Sequence, residues 1–295
     1  MNLLVTGAWK QAEDYIERLR EQHDVIFMQW ENKELPCLYE WVEGIIGNGI
    51  FLSHPIEKFI NLRYIQLTSA GYDRVPMDYV QEHKIEVHNA KGVYSIPMAE
   101  FAVAGVLQLY KQSKFFHENQ KQHIWEKHRG LLELNNKNIC IIGCGDVGDA
   151  CAKLFKAFGC HVFGINRSKK ANDLYEEIYE IGKIRDIVSR MDVIILTIAL
   201  TKETRHLVNL DILKMLKNTS ILVNLARGEI IDTHALVENI SNIGGAVLDV
   251  FEDEPLPVES VLWDMENVIL TPHNSFVGDK NEKRMKNLIL KNLES

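Results

Sequence analysis

Two open parallel α/β bodies are the fold that this 295-residue sequence predicts, and three observations carry the prediction. Short apolar runs of strand length alternate with helical stretches from end to end. Those runs are nearly continuous rather than alternating, as strands buried on both faces must be. One of them is followed at once by the string Gly143, Cys144, Gly145, Asp146, Val147, Gly148 and then by a helix. With 46% apolar and 25% charged residues, the composition is ordinary for a globular chain, and the length suffices for two domains with their own cores.

Each element has its reason. Asn2 to Thr6 is a strand by its apolar run, Gln11 to Gln22 a helix with Ile16 and Leu19 at helical spacing, and Val25 to Met28 a second strand, making one β-α-β unit. The pattern recurs with Ile45 and Ile46 beside Gly47 and Gly49. Leu62 to Thr68 then closes at Ser69, Ala70 and Gly71, and the helix Met77 to Glu82 leads into the strand Ile85 to His88. From Pro97 to about Lys121 the sequence predicts one long helix, with Pro97 in its first turn and Ala99, Phe101, Ala102, Val106, Leu109 and Tyr110 as apolar faces. A second strand series follows: Asn138 to Ile142, Val162 to Ile165, Ile178 to Ile181, Val193 to Thr197, Ile221 to Asn224, Ala246 to Val250 and Val268 to Thr271. Arg284 to Leu293 closes the chain as an amphipathic helix.

Charge and cysteine usage exclude several function classes. Lys plus Arg number 33 against 41 Asp plus Glu, a net charge of −8 with no long basic run, so nothing draws the chain to nucleic acid or anionic lipid. Cys37, Cys140, Cys144, Cys151 and Cys160 form an odd set without Cys-x-x-Cys spacing, which predicts reduced thiols in a cytoplasmic protein and neither disulfides nor a metal site. The longest uncharged apolar run, Val193 to Leu200, is too short to span a bilayer, and no secretory signal opens the chain.

The glycine string in its strand-turn-helix setting is the fingerprint of a Rossmann-type dinucleotide site. Gly143 permits the tight turn, Gly145 lets a pyrophosphate approach the backbone, and Gly148 lets helix and strand pack closely. Asp146 and Val147 open the helix, whose free amides and positive end face the diphosphate. After the next strand the chain reads Asn166, Arg167, Ser168, Lys169, Lys170, without the carboxylate that grips an NAD ribose. Arg167 can bind a 2′-phosphate with its planar fork and Ser168 can donate to it, which predicts NADP in preference to NAD; Asn166 on the ribose of NAD is the alternative. Cys144 and Cys151 read as small buried hydrophobes.

Three distant segments each begin where an apolar strand ends: Leu225, Ala226, Arg227, Gly228; then Phe251, Glu252, Asp253, Glu254, Pro255; then Thr271, Pro272, His273. Ligands of an open parallel sheet bind beyond the carboxyl ends of its strands, so these tips are expected to meet. They would bring together a guanidinium, a carboxylate and an imidazole, a set suited to transfer of a hydride with a proton. Arginine fixes a carboxylate and polarises a carbonyl, imidazole moves a proton near neutral pH, and a carboxylate on the far ring nitrogen sets the tautomer.

The runs Leu222 to Gly228, Gly245 to Pro257 and Asn267 to His273, following the glycine string at this distance, resemble the D-isomer-specific 2-hydroxyacid dehydrogenase family. The similarity covers nearly the whole chain and is strongest from Asn138 to Asn274. It implies a smaller flavodoxin-like substrate domain, 1–91 with 274–295, and a dinucleotide-binding domain, 92–273. Arg227 matches the residue that binds substrate, His273 the general acid/base, and Glu254, the acid immediately before proline, its partner. Asp249 matches an aspartate near the nicotinamide, with turn capping as the other reading, and Ala226 lies beside it on the cofactor side. Ala70 and Gly71 match the loop whose amides hold the substrate carboxylate, and Asn48 to His54 border the side-chain pocket. Thr201 to Thr204 resembles a segment beside the cofactor, which nominates Ala199 and Thr204, although Ala199 stands where proline is usual.

The resemblance thus implies reduction of a small 2-keto acid to a D-2-hydroxy acid with NADPH or NADH, in a homodimer. A nucleotide-sensing, corepressor-like protein on the same fold is the alternative. Formate oxidation is disfavoured, since that branch has glutamine where this chain has Glu254.

Overall fold

The central strands of two separate sheets are covered on both faces, which is why their sequences run apolar without alternation. A computed structural model describes residues 1–7, 13–168 and 172–294. The chain divides into two units, Met1–Tyr94 with Gly278–Ser295, and Ser95–Val277.

The first unit holds β1 (Asn2–Thr6), α1 (Glu13–Arg20), β2 (Asp24–Met28), β3 (Gly44–Gly47), β4 (Tyr64–Leu67), α2 (Met77–Glu82) and β5 (Glu86–His88). Its five strands are all parallel in the order β2-β1-β3-β4-β5. Alternate residues of β1 serve opposite layers. Leu3 and Val5 pack with Ile16, Leu19 and, from the C-terminal helix Asn281–Leu293, Met285 and Ile289; Leu4 packs with Val42, Phe59 and Val80. The predicted start of α1 at Gln11 lies outside the described residues.

The sequence reading divides the chain at 91/92 and 273/274, the structure at 94/95 and 277/278. The connecting residues belong to the first unit by their contacts. Val93 is buried among the C-terminal helix residues, Arg284 Nε donates to Val93 O at 2.7 Å, and the Tyr94 hydroxyl donates to Thr68 O.

The second unit begins with α3 (Ser95–Tyr110) and α4 (Ser113–Lys121), where the sequence predicts one helix. The break is at Gln112, which has φ +54°; the end of α3 is bonded to the segment around Leu132, with Leu132 N donating to Tyr110 O and the Lys111 ammonium Nζ to Leu132 O. The reason is visible in the sequence. The apolar face that binds α3 to the core ends at Tyr110, and α4 buries no residue.

Then follow β6 (Asn138–Ile142), α5 (Asp146–Ala157), β7 (His161–Asn166), β8 (Glu177–Glu180), α6 (Ile184–Ile187), β9 (Val193–Leu196), α7 (Leu210–Met215), β10 (Ile221–Asn224), α8 (Thr233–Asn239), β11 (Gly245–Leu248) and β12 (Val268–Leu270). These seven strands are parallel in the order β12-β11-β10-β9-β6-β7-β8. Ile139 and Ile141 face α3 and α5 through Ala102, Val106, Cys151 and Phe155; Cys140 and Ile142 face α6, α7 and α8. Strand order reverses between β6 and β9, the place where a doubly wound sheet opens a crevice at its carboxyl edge. The chain is therefore a Rossmann-type α/β sheet with a smaller parallel α/β unit.

Candidate active site

The glycine string lies at that reversal. Gly143 has φ +106°, and its amide donates to Ile165 O at 2.8 Å, turning the chain off β6 toward α5. A Cβ there would stand 2.5 Å from Ile198 N, so the turn is pressed against the segment leaving β9. A Cβ on Gly148 would meet Gly143 O at 2.2 Å, which is the close helix-to-turn approach. Gly145 differs, since a Cβ there would meet nothing within 4 Å. Its open face beside the N-terminus of α5 is the cradle into which a pyrophosphate fits, so the residues present suit a dinucleotide.

Asn166 ends β7, and Arg167 and Ser168 follow it into solvent; Lys169 and Lys170 lie outside the described residues. Across from them, the Thr201 hydroxyl bond holds the Glu203 carboxyl below its ordinary range, and the charge of Arg167 adds to that effect. The missing proline at Ala199 does not leave the loop loose. The buried Thr204 hydroxyl donates to Ala199 O at 2.8 Å and accepts from Thr201 N at 2.7 Å, closing residues 199–204 on themselves. Thr197 Oγ1 donates to Gly143 O at 2.7 Å and ties this loop to the glycine turn.

The three strand tips are neighbours. Asn224 pairs in register with Leu248 and Leu248 with Leu270, so Arg227, Phe251 and His273 each follow three residues beyond a matched row. Bonds join the tips directly, with Asp249 N donating to Asn224 O at 3.1 Å and His273 N to Asp249 O at 2.8 Å. Arg227 is half-buried, and its backbone is set by Asn224, whose side chain donates to Arg227 O at 3.0 Å and accepts from Ala226 N at 3.1 Å. Gly228 brings the first two tips into contact, because a Cβ on it would stand 1.9 Å from Phe251 C.

His273 Nδ1 donates to Glu254 Oε2 at 2.8 Å, while Glu254 Oε1 accepts from Phe251 N at 3.0 Å. A carboxylate on Nδ1 leaves Nε2 as the nitrogen that can exchange a proton, and among the described residues no protein group pairs with it. Its neighbour acid is committed elsewhere. Glu252 Oε1 accepts from His206 Nε2 at 2.6 Å and Oε2 from Thr233 N at 3.3 Å. Partial burial opposes the Glu252 charge, but the bonds from Thr233 and His206 outweigh it and hold the carboxyl below its usual range. Of the three acids at this tip, Glu254 is the one on His273.

Asp249 is fully buried, and its carboxylate accepts from Thr271 Oγ1 at 2.6 Å, Asn274 N at 2.7 Å and Ser275 N at 2.9 Å. It caps the turn that carries His273, whose φ is +50°; sequence reasoning held turn capping only as the second reading. Sequence reasoning missed Asn224 and the His206–Glu252 pair. A polar residue closing an otherwise apolar strand was the available signal for Asn224; His206 offered none. Ala70 and Gly71 follow β4 in the first unit, where Asn89 Nδ2 donates to Ala70 O and Ser69 Oγ to Gly71 O. Among the described residues no helix is long and apolar enough to cross a membrane, and no group of three His, Cys, Asp or Glu could hold a metal ion.

Residues 103–275 match the family model of the D-isomer specific 2-hydroxyacid dehydrogenase NAD binding domain. The chain is 32% identical over 285 residues to a glyoxylate reductase of Pyrococcus horikoshii, covering 89% of this chain and 84% of that one. Among solved structures it is similar to D-lactate dehydrogenase from Aquifex aeolicus complexed with NAD and lactic acid, at 26% identity and a TM-score of 0.83, covering 99% and 94% of the two chains. A D-isomer specific 2-hydroxyacid dehydrogenase from Xanthobacter autotrophicus in complex with NADPH and MES is similar at 25% identity and a TM-score of 0.80, covering 99% and 93%. These matches define a nicotinamide-dependent oxidoreductase, and the chain belongs to the D-isomer specific 2-hydroxyacid dehydrogenase family.

Proposed function

We propose that this enzyme reduces a small 2-keto acid of the glyoxylate type to the corresponding 2-hydroxy acid, of D configuration where the carbon is chiral, with NADP preferred over NAD. The observation that carries this reading is the His273–Glu254 pair, on the two strand tips next to that of Arg227 and with Nε2 left for substrate. The curated relatives at 32% identity named glyoxylate reductase support the substrate class.

A reduced nicotinamide bound along Gly143 to Gly148 would supply the hydride. Gly145 leaves its pyrophosphate room, Asp146 and Val147 open the helix that faces it, and Asn166, Arg167 and Ser168 take the adenosine ribose and its 2′-phosphate. Ala199, Thr204, Ala226 and Asp249 border the cofactor as backbone rather than through Asp249's committed carboxylate. Arg227 binds the substrate carboxylate and draws electron density from the keto oxygen. Protonated at Nε2, His273 donates to the oxygen as the carbonyl carbon is reduced. Glu254 on Nδ1 stabilises the imidazolium before transfer and fixes the tautomer after it. Within this proposal the protein acts as a homodimer in the cytoplasm, the compartment that its odd set of free cysteines favours.

The experiment is a panel of 2-keto acids assayed with NADPH and with NADH, for the native enzyme and for His273→Ala. Turnover of glyoxylate, hydroxypyruvate or pyruvate, lost in His273→Ala with cofactor affinity retained, is the expected result. Silence of the native enzyme across the panel, or full activity in His273→Ala, overturns it.

A further inference from the structure

The Phe251–Pro255 loop carries two histidine-carboxylate pairs facing different ways. Glu254 meets His273, the pair assigned above to proton transfer. Glu252 meets His206, which comes from the segment after β9 and takes no part in that chemistry. His206 is held as firmly as His273: its φ is also +50°, and its amide donates to Glu229 O at 2.7 Å. The next residues are stitched to the strand-like stretch beyond Arg227, with Val208 N donating to Ile230 O at 3.0 Å, Asp232 N donating to Val208 O at 3.1 Å, and Val208 bridging Ile231. The second oxygen of Glu252 accepts from Thr233 N, at the start of α8.

Thus Glu252 bonds its loop to two elements outside it, and Gly228 presses the Arg227 tip against the backbone of Phe251 and Glu252. Glu254 lies two residues further on. Its own restraints are the bond to Phe251 N within the loop and the bond to His273, so its place relative to His273 depends on where the loop is held. We propose that His206 and Glu252 form a positioning pair, which clamps the Phe251–Pro255 loop and thereby sets Glu254 against His273. This rests on the reading of His273 and Glu254 given above.

The pair's charge state is consistent with the clamp. Glu252 is held ionised by its donors in spite of partial burial, so it remains an acceptor across the neutral range. A bond from a ring N–H to a carboxylate at 2.6 Å is of the strong, charge-assisted kind.

The test is steady-state kinetics of His206→Ala, His206→Gln and His206→Ala combined with Glu254→Ala, with NADPH affinity measured separately by its fluorescence. His206→Ala is expected to lower kcat by about tenfold to a hundredfold, the effect of a small misplacement of reacting groups, with NADPH affinity within about twofold of native. His206→Gln, which can still donate to Glu252, restores most of the loss. In the Glu254→Ala background, where the positioned carboxylate is gone, His206→Ala costs nothing further. Should His206→Ala fold poorly, Glu252→Ala serves in its place with the same expectations. The inference is overturned by an unchanged kcat in His206→Ala, or by an equal loss with and without Glu254, which would mark a general structural effect. If Glu254→Ala itself leaves turnover intact, the assignment of the proton-transfer pair fails instead.

Discussion

Replacing Gly228 by alanine tests whether the strand tips act as one unit. The added methyl would lie 1.9 Å from Phe251 C, 2.1 Å from Phe251 O and 2.2 Å from Glu252 N. Carbon atoms in contact sit ~3.5 Å apart, so the two backbones must separate by roughly 1.5 Å, and because all three obstructing atoms are main chain no rotamer change can relieve it. Overpacking of this kind costs about 1–3 kcal/mol, within the stability of an ordinary domain, so the variant folds with a lowered melting temperature. Its larger effect is on geometry, for one separated backbone carries Arg227 and the other leads to Glu254. A displacement of that size between reacting groups is expected to reduce kcat/KM by about a hundredfold, or ~2.7 kcal/mol of transition-state stabilisation. The glycine turn of β6 lies two strands away, so NADPH affinity remains near native. The assay follows oxidation of NADPH by glyoxylate at varied concentrations of both, with Gly182→Ala, whose methyl would meet nothing within 4 Å, as the silent control. A Gly228→Ala enzyme with native kcat/KM would refute the argument that these tips are held in register for catalysis.

Two further outcomes follow from other parts of the second unit. Arg167→Ala is expected to raise the KM for NADPH by about tenfold to a hundredfold, the worth of a charge-assisted bond to phosphate, while leaving NADH nearly untouched. An equal loss with both cofactors would assign Arg167 to something other than the 2′-phosphate. For the cysteine in the glycine string, burial pushes the Cys144 thiol up to about 11, and Cys151 up to about 12. Below those values the thiols stay protonated, so at pH 8 only about one Cys144 in a thousand is thiolate and alkylation of the native enzyme is slow, quickening about tenfold per pH unit toward 11. Mass-spectrometric mapping after a short alkylation series checks this, and rapid modification of Cys144 at pH 8 would contradict it.

Much of the fold was legible because its determinants are local. Strands buried on both faces announce themselves as uninterrupted apolar runs, and all twelve were bounded to within two residues at each end, as with Ile221–Asn224. Gly143 was legible for the same reason, since a turn at φ +106° constrains the residue that occupies it. The join between α3 and α4 was not legible. Both halves have helical composition, and what separates them is a tertiary fact: Leu132 and Lys111 close the end of α3 at the residue where its buried face stops.

The acids at the β11 tip show where sequence reading reaches its limit and why. Asp249, Glu252, Asp253 and Glu254 lie within six residues, and pattern alone cannot apportion them, because a carboxylate's role is set by the donors that surround it in space. Those donors come from three distant segments and one neighbouring amide. Thr271, Asn274 and Ser275 occupy Asp249; His206 and Thr233 occupy Glu252; His273 and Phe251 N occupy Glu254. The buried acid therefore builds the turn that presents the imidazole, and the half-buried acid anchors the loop. The more exposed acid faces the imidazole's Nδ1. On the proposed reading, burial and closeness to the chemistry run in opposite order along this stretch: Asp249 and Glu252 are spent on holding backbone and a second imidazole, and the most exposed of the three acids, Glu254, is the one that sets the charge and tautomer of His273.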